Sequence, residues 1–250
     1  MKLEKILAWL DKTLNVAAFD DVSNNGLQVD PNNQTISTVA FTVDASVRAV
    51  AAAAAAGAEL LVAHHGISWG GGIRRLTGGV GNVVCAAIEN KVAVAAYHLP
   101  LDAHPTLGNN AQLAKLLGLR KVRPAFSYHG NVIGLIGNCS ISRLSDCLIS
   151  LGVDPKIKQS QIKKSKNVLV GVCSGGAGEF AEEAKDLGCD VYLTGEASWG
   201  DVIAAENCGM KMICAGHYET EIFGVRALAK AMKRALKLRT VDLTDDLRQP

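Results

Sequence analysis

The feature that most constrains this chain is a passage it writes twice. "STVAFTVDASVRAVAAAAAAGAELLVAHHGISWGG", from Ser37, reads as a β-branched strand, an alanine-rich helix opened by Asp44 or Ser46 and stopped at Gly57, and a second strand, "LLVA". "NVLVGVCSGGAGEFAEEAKDLGCDVYLTGEASWGD", from Asn167, repeats the order, with a helix from about Glu179 to Gly188. Laid together, "GAELLVAHHGISWG" faces "GCDVYLTGEASWGD", which sets Glu196 opposite His65. The match runs on: with one residue of offset, "VAVAAYHLPLDAH" and the helix "NNAQLAKLLGL" face "MKMICAGHYETEI" and "GVRALAKAMKRAL", so His98 and Asp102 correspond to His217 and Glu221, each pair four residues apart. Strand–helix–strand order requires a crossover helix joining parallel strands. A repeat of that unit at this length predicts an α/β protein of two related halves, with largely parallel sheets flanked by helices, and not a solenoid. The divide is placed near Pro124, giving halves 1–124 and 125–250.

The chain opens on "MKLEKILAWLDKTLN", where Leu3, Ile6, Leu7, Leu10 and Leu14 recur at helical spacing among charges. Charge throughout this stretch argues against a signal peptide or a span, and no run reaches the roughly 18 apolar residues a membrane helix needs, so no membrane partner is expected. Twenty-six basic against twenty-four acidic residues leave a formal charge of +2. No overall field draws nucleic acid, and any polyanion site must be local. Seven cysteines without a CxxC pair fit neither a disulfide framework nor a cysteine zinc knuckle, which points to a reducing, cytoplasmic setting. The lysine-rich stretch ending at Lys166 could contact phosphates, although isolated charge runs usually just face water.

In open α/β sheets ligands gather beyond the carboxyl ends of the strands. His64 and His65 follow one strand, His98 and Asp102 the next, Glu196 a third, and His217 with Glu221 a fourth. Imidazole nitrogen and carboxylate oxygen without cysteine suit zinc, iron or manganese. Five or more such ligands exceed one tetrahedral ion and fit two cations about 3.5 to 4 Å apart, bridged by a carboxylate and a water. An adjacent histidine pair alone is weak, because consecutive strand side chains point to opposite faces. Here the pair stands at the strand exit, and Gly66 with Gly70 to Gly72 permits a sharp turn that leaves the approach open. His129 lacks a neighbouring ligand and reads as a surface residue. His98 and His104 could bind substrate, brace a ligand or cap local backbone. Trp69 could stack on a planar ligand or plug the interface of the halves.

"VAHHGISW", "YHLPLDAHPTLGNNAQLAKLLG" and "AGHYETEIFGVRAL", with "NGLQV" near the start, resemble the Nif-three-like family, often labelled GTP cyclohydrolase I type 2 homologues. The resemblance spans essentially the whole chain. It implies a two-domain α/β subunit whose halves can intertwine, a metal site in the cleft between them, and a homohexamer built as a trimer of dimers. Carried over residue by residue, the metal ligands fall on His64, His65, Asp102, His217 and Glu221, with two divalent ions per subunit. Glu221 is then the bridging carboxylate, and His98 stands outside the ligand set as proton donor or substrate holder. The short connection between the copies has no room for the large insertion domain of longer relatives.

The function expected from this reading is a metal-dependent hydrolase, which under the family label opens the guanine ring of GTP and releases formate. No GxxxxGK[ST] loop is present, so phosphates would rest on the metals, on the glycine turn "CSGGAG" at Cys173 to Gly178, or on lysines of a neighbouring subunit. Two other classes stay open: a nucleotide or nucleic-acid phosphohydrolase, which a dinuclear centre also suits, and a regulatory protein whose metal organises an assembly.

Overall fold

The computed structural model describes residues 1–32, 35–153 and 167–248. The lysine-rich run up to Lys166 lies outside the described residues. In chain order the elements are α1 (Leu3–Leu14), β1 (Gly26–Val29), β2 (Thr38–Asp44), α2 (Val47–Ala55), β3 (Leu60–His65), α3 (Gly78–Glu89), β4 (Ala93–Ala96) and α4 (Leu99–Asp102). There follow α5 (Asn109–Leu117), β5 (Arg120–Tyr128), β6 (Asn131–Ser140), α6 (Ile141–Ser150), β7 (Asn167–Gly176), α7 (Ala181–Asp186), β8 (Val191–Glu196), α8 (Trp199–Cys208), β9 (Met212–Cys214), α9 (His217–Leu236) and β10 (Arg239–Asp242). The chain forms two compact units, one of residues 1–108 with 224–250 and one of residues 109–223. Among the described residues no helix is long and apolar enough to cross a membrane.

The first unit is built on a five-stranded sheet in the order β1-β4-β3-β2-β10. β4, β3, β2 and β10 run parallel, and β1 pairs antiparallel with β4. The alternative over where α2 begins resolves to Ser46, whose hydroxyl accepts the Ala49 N–H at 3.1 Å. Its alanines leave short stems on the helix surface, so Ala49, Val50 and Ala53 sit tightly over Ala40 and Leu61 of the sheet. α1 turns Leu3, Ile6, Leu10 and Leu14 inward, and the chain leaves it through Asn15 in the left-handed conformation. α3 has little local signature in the sequence, because its first residues include the poorly helix-forming Gly78, Gly79 and Gly81.

The second unit carries the sheet β5-β6-β7-β8-β9. β7, β8 and β9 are parallel, as the repeat requires, but β5 and β6 add an antiparallel hairpin. His129 and Gly130 close that hairpin with φ of 48° and 74°, the doubly positive turn whose twist matches paired strands. The helix expected from Glu179 begins as a 3₁₀ turn over Gly178–Phe180 and becomes α7. Pro124 lies inside β5, paired with Leu135. The units change over earlier, at Asn109, because α5 commits Leu113 and Leu117 to the core of Leu144, Val170 and Leu193. Residues 224–250 return to the first unit by pairing β10 with β2.

Candidate metal centre

In the first unit β3 delivers His64 and His65 at its carboxyl end. His64 is fully buried and His65 partly exposed, yet their rings lie 4.6 Å apart. β4 leads through Tyr97 to His98, which occupies the position before α4, and Asp102 follows one turn later. The four-residue spacing places that pair on one side of the turn. One ring nitrogen of each of His64, His65 and His98 lies within 4.8 Å of the others, and His64 Nε2 is 3.5 Å from Asp102 Oδ2.

Each of these imidazoles is held at Nδ1 by an oxygen. His64 Nδ1 lies 3.0 Å from the Tyr97 carbonyl, His65 Nδ1 2.8 Å from Asp44 Oδ1, and His98 Nδ1 2.9 Å from Asp21 Oδ1. A carbonyl or carboxylate oxygen only accepts, so the proton belongs on Nδ1 and the lone pair on Nε2. That is the arrangement by which proteins orient metal-binding histidines. Asp21 also accepts from the backbone N–H of Ser23 and Leu99 and from the Asn25 amide. Burial works against its charge, but the hydrogen bond and charge of His98, with these donors, outweigh it and hold the carboxyl below its ordinary range.

The "NGLQV" segment braces the same site. Asn25 Oδ1 accepts the His98 N–H at 2.7 Å, and Gln28 Oε1 accepts from Ile67 N at 2.7 Å and Ser68 N at 3.2 Å, fixing the turn after the histidine pair. A Cβ at Gly66 would overlap the Gln28 amide, so glycine is required there for close approach. Trp69 donates its indole N–H to the Gly66 carbonyl and stands edge-on to His98, ring centres 5.2 Å apart. It forms a wall beside the histidines.

In the second unit β8 ends at Glu196, and α9 starts three residues after β9. His217 and Glu221 are therefore one turn apart at a helix start, as His98 and Asp102 are. His217 is held at Nδ1 by Glu196 Oε1 at 2.9 Å and faces Glu221 Oε1 with Nε2 at 3.3 Å. The Glu221 hydrogen bond, opposed by burial and aided by Glu196, pushes the His217 pKa up to about 9. Gly175, at φ 69°, passes so close that a Cβ there would overlap the Glu221 carboxylate. Its N–H donates to Thr220 Oγ1 at 3.1 Å, which ties the glycine turn to the first turn of α9.

The structure thus gathers His64, His65, His98 and Asp102 in one unit and His217 and Glu221 in the other. Glu196, opposite His65 in the repeat, braces His217 instead. His104 caps backbone, accepting from Thr106 N and Leu107 N, and burial lowers its pKa. His129 belongs to the hairpin turn. Asp21 and Asp44 carry no sequence signal for this role, since each lies tens of residues from the histidine it orients. The donor set fits a metal: Asp102 and Glu221 are buried with the Nε2 atoms of His64 and His217 facing them, and a divalent cation taking the place of the proton between His217 and Glu221 would stabilise the grouping. No cysteine joins the clusters among the described residues, in keeping with zinc, iron or manganese.

The sequence profile of Duf34/NIF3 (NGG1p interacting factor 3) matches residues 1–245. A Pyrococcus horikoshii protein named "GTP cyclohydrolase 1 type 2 homolog" is 38% identical over 246 residues, 96% of this chain and 97% of its own. Among solved structures, one described as protein ybgI of unknown function superposes with a TM-score of 0.84 at 30% identity, covering 97% of each chain. TTHA1606 from Thermus thermophilus superposes at 0.81 with 29% identity, covering 97% of this chain and 98% of that one.

Proposed function

Because the chain belongs to the Duf34/NIF3 family, we propose that it is a hydrolase working through two divalent ions, held by His64, His65 and Asp102 of one unit and His217 and Glu221 of the other. The observation that carries this reading is the shared orientation of His64, His65 and His217, each fixed at Nδ1 by an oxygen and leaving Nε2 to ligate. Zinc, iron or manganese would supply Lewis acidity and a water whose pKa is brought toward neutrality. Glu221 would be the carboxylate that holds the ions together, because it is buried and stands opposite His217 Nε2.

His98 handles protons. With Nδ1–H donated to Asp21, its Nε2 takes a proton from the reacting group and returns it to the leaving group, and the Asp21 carboxylate stabilises the imidazolium in between. Trp69 offers an aromatic wall to a planar substrate, which agrees with a purine nucleotide as the substrate class. The names of the relatives support GTP as the first compound to test. We further propose that the protein works in the cytoplasm as a hexamer.

The test is turnover of GTP by protein reloaded separately with zinc, iron and manganese, following formate and inorganic phosphate together. Formate release that disappears in Glu221→Gln is the expected result. Phosphate release alone would instead make it a phosphohydrolase, and retained metal without either product would leave a binding protein.

A further inference from the structure

The second unit has a cavity of about 640 Å³ at the end of the sheet remote from its metal-binding residues. It is lined by Arg120 and Lys121 where β5 starts, Asn138 and Ser140 where β6 ends, Arg143 on α6, and Asn167 where β7 starts. The ladder sets these residues side by side: Arg120 pairs with Asn138, and Ser140 with Asn167. Gly175, against Glu221, is at the opposite end of β7, roughly 26 Å from Asn167 along the strand. The cavity is a separate feature.

Its electrostatics point one way. Among the described residues no carboxylate forms an ion pair with Arg120, Lys121 or Arg143, so three cations surround one cavity without compensation, and the amides and hydroxyl of Asn138, Asn167 and Ser140 add neutral hydrogen-bonding groups. Ser140 caps α6, a ten-residue helix, and so the positive end of that helix opens at the cavity wall. The backbone is shaped to the same end. Pairing of β5 with β6 is interrupted between Arg120 and Arg123, and Lys121 within that irregularity has a φ of 53°, a conformation that side-chain-bearing residues adopt at a cost. Gly118 has a φ of 63°, and a Cβ there would stand 3.3 Å from Arg143 Nε, so its lack of a side chain makes room for the guanidinium.

We propose that this cavity binds a phosphate-bearing anion, with Arg120 and Arg143 as the charged clamp and Lys121 as a third contact. Planar guanidinium groups match phosphate oxygens two at a time, and a volume of this order accepts more than one phosphate group. The overall charge of +2 gives no general attraction for polyanions, so such binding would be local.

The experiment is calorimetric titration of the full-length, metal-free protein with inorganic pyrophosphate in a chloride buffer, with orthophosphate and GTP as parallel ligands. Saturable binding of about one pyrophosphate per chain is expected, weakened by added salt. Arg143→Gln and Arg120→Gln should each reduce affinity by ~10-fold or more, the usual scale for losing a charged hydrogen-bonding partner. Both residues are on the surface, and an unchanged melting temperature verifies the fold. Glu221→Gln should bind as wild type does, which separates this site from the proposed metal centre. Equal affinity for pyrophosphate and GTP would make the phosphates the whole of the ligand, whereas tighter GTP would make it a nucleotide. Absence of pyrophosphate binding at millimolar concentration, or unchanged affinity in both arginine variants, would overturn the proposal.

Discussion

Replacing Glu221 with Gln in the metal-free protein should alter the acid–base behaviour of His217 and, through it, the stability of the second unit. The Glu221 hydrogen bond is the largest cause of the rise in His217 pKa from 6.5 to about 9. Two and a half pH units at 1.36 kcal/mol each set a ceiling of about 3.4 kcal/mol. With 34% of the His217 side chain exposed, solvent screening reduces this to about 1 to 2 kcal/mol. The folded-state value lies above the unfolded one, so the proton favours the fold. The contribution is complete below pH 6.5 and disappears as the pH climbs through about 9. Titration of the His217 ring resonance by NMR, with urea unfolding at pH 6 and pH 9.5, measures both quantities. Wild type should lose about 1 to 2 kcal/mol more than Glu221→Gln between those pH values. The same proton opposes metal, so affinity for zinc should rise about 50-fold from pH 7 to pH 9 as His217 deprotonates. A His217 pKa unchanged by the substitution would refute the reasoning.

Gly175→Ala should cost about 1 to 2 kcal/mol for its left-handed backbone and in addition displace Glu221, lowering bound metal, as urea unfolding and metal analysis would record. His98→Ala should retain metal and lose turnover by about 100-fold or more, with Asp21→Asn reproducing part of the loss; metal loss in His98→Ala, seen by elemental analysis, would make His98 a ligand. Light scattering at micromolar concentration should give six times the 26.3 kDa subunit mass, and a clean monomer would eliminate the hexamer.

Much of this site is written in local spacing. His98 with Asp102 and His217 with Glu221 are legible because a four-residue interval becomes one helical turn whichever fold surrounds it. The Ser46 cap and the "LLVA" strand are legible for the same reason, since capping and β-branched runs act within a few residues. What orients the imidazoles is not legible. Asp21, Asp44 and the Tyr97 carbonyl act across the fold, and nothing in the sequence around an aspartate names the histidine it will meet. The space Gly66 and Gly175 leave for Gln28 and Glu221 is equally invisible until both segments are placed. The change of unit at Asn109, upstream of Pro124, follows from packing: the core takes Leu113 and Leu117 of α5, while the first five residues of β5 stay exposed.

The central claim, that these histidines and carboxylates are a dinuclear metal site, is tested most directly by metal content. Protein purified without oxygen, stripped, reloaded with zinc and freed of excess metal should carry two ions per chain, while Glu221→Gln and Asp102→Asn should each fall below two. One ion or none in wild type, or two ions that persist in both variants, would contradict the account.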